Sequence, residues 1–167
     1  NSAGSNKVDY FVVAGGGGGH GDAGGGGGGG GFRLSNEYGL PGPTMSPLAN
    51  PTGLTVAQQT YPVTVGAGST HPGQATPSVF STITSAGGGS TNTSGGSGGG
   101  ARANGPAQGA TGNDPPVSPP QGNPGGTGLD GPTGLTGRAA SGGGGGAGGS
   151  GGNATNITPT YPGSCSA

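Results

Sequence analysis

The chain has 167 residues, including 49 glycines and 16 prolines, and a formal net charge of −1 with only 5% charged residues. Apolar residues make up 25%, with no tryptophan, three phenylalanines and four tyrosines, which excludes a large oily core. Lys7, Arg33, Arg102 and Arg138 are too scattered for a nucleic-acid surface, and no run approaches the roughly 20 apolar residues of a membrane span.

Disordered chains are usually rich in charge. This one is not, so little repulsion keeps it expanded, and it suits packing against copies of itself. The single Cys165 has no internal partner; it is either a link between chains or a free thiol. The chain begins at Asn1 without a signal-peptide pattern, as expected of a processed form or a part excised from a longer chain.

In chain order, residues 1–7 are a polar lead-in. Val8 to Ala14 (VDYFVVA) predicts the first strand. Val8, Tyr10, Val12 and Ala14 alternate with Asp9, Phe11 and Val13, and apolar groups on both faces predict cover on both sides. Gly15 to Gly31 follow, interrupted by His20-Gly21-Asp22-Ala23, which reads as a turn between glycine strands. A short extended piece is expected at Phe32-Arg33-Leu34. Asn36 to Thr52 holds Pro41, Pro43, Pro47 and Pro51 and reads as a loop. Gly53 to Ala57 and Thr60 to Gly66 predict short strands, the latter at an edge because of Pro62. Ser78 to Ser85 (SVFSTITS) predicts another strand, which runs directly into Gly87 to Gly89. Tyr10, Val12, Tyr61, Val63, Val79, Phe80 and Ile83 are the expected small core.

The second half is poorer in strands. Gly95 to Gly100 and Gly142 to Gly152 are further glycine arrays, and Asn113 to Gly122 (NDPPVSPPQG) reads as polyproline-like. Gly128 to Ala139 forms four Gly-X-Y triplets, the period of a three-residue-per-turn helix. A last short strand is expected at Asn156 to Tyr161. The division is therefore a lead-in at 1–7, a strand half at 8–86, a glycine/proline half at 87–152 and a tail at 153–167, together one structural unit.

Glycine runs cannot start helices. They are either a tether or extended polyproline-II strands packed side by side, where only a missing Cβ permits close approach. Strands flow into glycine twice, at Ala14-Gly15 and Ala86-Gly87, which a tether would not require and which favours the ordered array. The expected fold class is all-β or irregular: a small sheet or sandwich whose strands continue into packed polyglycine helices, with essentially no α-helix.

The motifs VDYFVVAGGGGG, GGGGFR, SPLANP, TYPVTVGAG, SVFSTITSAGGG and GNDPPVSPPQGNPGG occur in that order. This set resembles the glycine-rich domain of virion structural and tail-fibre proteins of aquatic bacteriophages, cyanophages included, over roughly residues 8 to 152. The resemblance implies a virion appendage or extracellular setting and no catalysis.

Little in the chain suggests chemistry. Gly16-x-Gly18-x-x-Gly21 matches the dinucleotide fingerprint only formally, since no helix follows to hold a pyrophosphate. His20 and Asp22 fall short of a metal site, with His71 distant in sequence. No catalytic set, cofactor or metal is expected. Asn92, Asn153 and Asn156 head glycosylation sequons, and Thr91 to Ser94 is a stretch that O-linked sugar would suit. The expected function is a non-enzymatic subunit of an extracellular fibre or phage appendage, with copies of itself as partner and an extracellular or virion-surface location. The alternatives are a tail-fibre-tip adhesin for a cell-surface glycan or protein receptor, an ice-binding protein, and a free-standing microbial fibril.

Overall fold

The computed structural model describes residues 6–22, 24–37, 49–103, 108–130 and 139–155. These contain no helix; their regular elements are eight short strands, β1 (Lys7–Val8), β2 (Phe11–Val13), β3 (Phe32–Ser35), β4 (Ala49–Asn50), β5 (Leu54–Thr55), β6 (Val63–Thr64), β7 (Ser78–Phe80) and β8 (Ile83–Ser85). The all-β, irregular fold class is what the structure shows. The strands form three small sheets, β1-β5, β2-β3-β4 and β6-β7-β8. All pairs are antiparallel except β3 with β4.

The N-terminal strand is broken in two at Asp9-Tyr10. There Ser35 interrupts the ladder: its Oγ accepts the Tyr10 N–H and donates to Asp9 Oδ1. The expected strand at Ser78 to Ser85 is instead a hairpin turning at Ser81-Thr82, with Ser81 at φ 53°. A positive φ at the first loop residue fits a two-residue turn of the primed kind. The expected Asn36–Thr52 loop contributes β4 as an edge strand.

Beyond the sheets the chain continues as ten extended segments: g1 (14–19), g2 (24–31), g3 (66–70), g4 (74–77), g5 (86–90), g6 (95–101), g7 (109–111), g8 (121–128), g9 (140–146) and g10 (150–154). Backbone hydrogen bonds join them sideways. A first layer runs g3-g1-g2-g9-g10, through Ser69 N to Gly16 O, Gly17 N to Gly28 O, Gly26 N to Gly142 O and Gly143 N to Gly152 O. Segments g4, g5, g6 and g8 form a second layer, each seated between two segments of the first. Thus g5 bonds both g1 (Gly88 N to Gly15 O) and g2 (Gly28 N to Gly89 O), and g6 bonds both g2 (Ser97 N to Gly29 O) and g9 (Gly145 N to Gly98 O). Segment g7 opens a third layer over g6 and g8.

Successive residues of a segment face different neighbours with a period of three. In g2 a Cβ at Gly25 or Gly28 would strike g6, and one at Gly27 or Gly30 would strike g1. At Gly26 and Gly29 the nearest backbone is that of g9. Three residues per turn is the polyproline-II repeat. No described glycine has φ in the left-handed region, so close approach, not positive φ, is what requires glycine here. The first array is two such segments joined by a turn at Gly21-Asp22, and the array at 142–152 likewise folds back on itself between g9 and g10.

The core differs from the expected one. Tyr10 and Val12 are buried, but Tyr61, Val79, Phe80 and Ile83 are only half-buried, and Val63 is 67% exposed. The other face of β2 is uncovered, with Phe11 64% and Val13 43% exposed, correcting the expectation of cover on both sides. The interior is made instead of glycine backbone with Ala101, Ala103, Ser35, Ser85, Ser90, Ser97 and Gln121. Segment g6 is buried throughout because it is the most surrounded. The proline-rich stretch is not one extended strand either. It bends around Asn113, whose Oδ1 accepts the Val117 and Gln121 N–H groups, with cis peptide bonds at Asp114–Pro115 and Ser118–Pro119. The strand expected at Asn156 to Tyr161 and most of the Gly128 to Ala139 triplets lie outside the described residues; a bridge between Leu129 and Ala140 flanks the latter.

Candidate functional site

The feature that could act is the glycine lattice and its junction with the sheets. Strand β2 passes into g1, g2 into β3, β6 into g3, g4 into β7 and β8 into g5, so the sheets β2-β3-β4 and β6-β7-β8 run on into the lattice, the latter into both its first and second layers. Gln121 sits at this junction as the largest fully buried side chain among the described residues. Its Oε1 accepts the Ala86 N–H at 2.8 Å, its Nε2 donates to Pro115 O at 2.8 Å, and its own carbonyl accepts the Phe32 N–H at 2.7 Å. Ser85 Oγ donates to Gly31 O nearby. These side chains satisfy peptide groups where the two-residue and three-residue periods meet and cannot pair with each other. Nothing in the sequence around Gln121 distinguishes it. Ser97 stands out in the sequence as a serine inside the glycine run at 95–100, and it is fully buried.

Between β2 and β6, over β7, lies a groove of about 350 Å³ lined by Phe11, Val13, Val63, Val65 and Phe80 among others. Val65 is 82% exposed. Phe11 packs edge-on against Phe32 at 5.1 Å, and Tyr61 lies 6.1 Å from Phe80. Polar support for this end comes from Lys7, whose ammonium donates to Glu37 at 2.6 Å, while Glu37 also accepts the Gly53 N–H. The Lys7 hydrogen bond, with that from Gly53, holds the Glu37 carboxyl below its ordinary range; partial burial and Asp9 act the other way.

His71 is not remote from His20: the two rings pack at 4.3 Å between centroids. The turn after Thr70 and the turn after g1 meet there because g3 and g1 are lattice neighbours. The Asp22 N–H donates to His20 Nδ1, and the His20 N–H to Thr91 Oγ1. Among the described residues no group of three or more His, Cys, Asp or Glu could hold a metal ion. Asn92 is exposed at φ 59°, with its Oδ1 accepting the Arg102 N–H; Asn153 is exposed, with its Oδ1 accepting the Thr127 N–H. Asn156 lies outside the described residues. Among the described residues no helix is long and apolar enough to cross a membrane.

A lattice of this kind running the length of the described chain calls for a family defined by glycine, and the family model described as "Glycine-rich domain" matches residues 2–166. The chain belongs to the glycine-rich domain family. No curated protein and no solved structure matches this glycine-rich domain. In this chain the lattice gives a structural reason for glycine wherever a Cβ would strike a neighbouring segment.

Proposed function

We propose that this glycine-rich domain is a non-enzymatic structural subunit of an extracellular fibre or a phage virion appendage, working by assembly with copies of itself. The observation that carries this reading is an interior held by backbone hydrogen bonds between laterally stacked segments. Such a lattice is rigid along its segments and grows by adding more of the same backbone. The low charge supports the reading, because copies do not repel one another. The virion setting rests on the motif resemblance, and the extracellular location follows from that setting. Negative-stain microscopy of the purified chain tests the proposal: filaments or ordered clusters are expected, and dispersed single particles at high concentration would count against it.

A further inference from the structure

Resting on that reading, we infer that the outer face of the first layer, together with the groove at its β end, is the surface on which a second copy of this chain docks. The groove is the starting observation. Phe11, Val13, Val63 and Val65 stand exposed along it, on β2, on β6 and just beyond β6, where the chain runs into that layer. A monomer gains nothing from leaving these apolar side chains open to water, and such a patch marks an interaction site.

The lattice says what covers it. The outward positions, three residues apart, are Gly68 in g3, Gly16 and Gly19 in g1, Gly26 and Gly29 in g2, Gly143 and Gly146 in g9 and Gly152 in g10, with Ala140 in the same phase at the start of g9. Gly16, Gly19, Gly68 and Gly152 are exposed. On the inner side, glycine is required because a Cβ would strike the next layer's carbonyls. On the outer side the contact is uneven: a Cβ at Gly26 would lie 2.9 Å from Gly144 N, one at Gly143 3.1 Å from Gly152 N and one at Gly68 3.3 Å from Gly16 O, whereas one at Gly152 would meet nothing within 4 Å and one at Gly16 only Gly28 O at 3.9 Å. At Gly16 and Gly152 glycine sacrifices backbone entropy for no close contact within the chain. The inner side of this same layer is covered by glycine segments of the chain, so the molecule itself displays the occupant that such a face admits. A second first-layer face supplies that surface, with apolar groove meeting apolar groove.

The area is adequate. Nine residues, the length of β2 with g1, span about 28 Å at roughly 3.1 Å each, and five segments about 4.8 Å apart span about 24 Å. That footprint is of the order of the roughly 800 Å² each partner of a stable complex contributes. The contact is isologous, so it closes into a two-fold pair, and fibre growth proceeds from other surfaces of the pair.

The test uses the full chain with Gly16→Lys and Gly152→Lys together, and Gln108→Lys, an exposed site beside g7, as the matched charge control. Sedimentation velocity over a hundredfold concentration range reads the mass, and amide exchange at Gly28 reads the fold. The wild type and the Gln108→Lys variant are expected to form pairs or larger assemblies. The double variant is expected to sediment as a monomer across the range with Gly28 protection unchanged. Phe11→Ser should weaken pairing at least tenfold. Pairing retained in the double variant would overturn the face assignment while leaving self-assembly standing. Loss of pairing in Gln108→Lys as well would overturn it too, since added charge rather than this face would then be responsible. A monomeric wild type would overturn both the face and the fibre reading.

Discussion

Gln121 takes the place of a peptide group. Its amide accepts from Ala86 and donates to Pro115, and the side chain itself is fully buried. Gln121→Leu strands one donor and one acceptor, so it should destabilise the fold by about 2–4 kcal/mol, measured by urea denaturation. Ser81 shows the opposite kind of residue, one set against its own preference. At φ 53° its Cβ is strained, and Ser81→Gly should raise stability by about 0.5–1 kcal/mol in the same assay. Glu37 gives a pH signature. Its carboxyl is held below its ordinary value, so the stability it adds is fully present above the unfolded pKa of about 4.3 and is lost as the pH falls through the folded value. The stability gap between the wild type and Glu37→Gln should therefore be present at pH 6 and vanish in acid. A gap that persists unchanged at low pH would remove the Lys7–Glu37 pair as its source.

At the scale of elements, the period of three sets the rules for substitution. A side chain at Gly27 points at the Gly17 carbonyl, whereas one at Gly148 meets nothing within 4 Å. Gly27→Val should cost about 3 kcal/mol or more, through overpacking and broken inter-segment bonds, and Gly148→Val should be close to neutral. In the folded protein the amides of Gly26, Gly28, Gly29 and Gly31 donate across segments and should exchange as slowly as those of β2 and β3. Random-coil exchange at all four would reduce g2 to a tether. How far these elements were legible follows from what each is made of. The strands around Val12, Val79 and Ile83 announce themselves by β-branched alternation, and the longest glycine runs by composition. Segments g3, g4, g7 and g8 do not. They are built from Ala, Thr, Ser, Pro and scattered glycine, and their order comes from backbone bonds that leave no hydrophobic periodicity. Val63, expected in the core, is exposed for a related reason. Alternation shows that one face differs from the other, and the small sheets here cannot cover every apolar face they present. The meeting of His20 with His71 depends on g3 lying beside g1, a pairing no local pattern encodes.

At the scale of the whole molecule, segments from both halves of the chain interleave, with g1 and g2 beside g9 and g10 in one layer. Most stabilising contacts thus join residues far apart in sequence, and folding should be slow for the chain's size, on the order of milliseconds to seconds. Stopped-flow refolding checks this; a microsecond phase carrying the full amplitude would contradict it. The near absence of side chains from the lattice also reaches into the thermodynamics. Apolar surface exposed on unfolding raises the heat capacity and peptide surface lowers it. Here unfolding uncovers mainly peptide groups, with Tyr10, Val12 and a few alanines as the buried apolar share. The heat-capacity increment should accordingly fall well below the usual ~12–15 cal/mol/K per residue. Scanning calorimetry would then trace a flat stability curve, with an unfolding enthalpy that changes little between warm and cold. A protein held this way keeps its stability in near-freezing water, where folds that depend on oily cores begin to lose theirs.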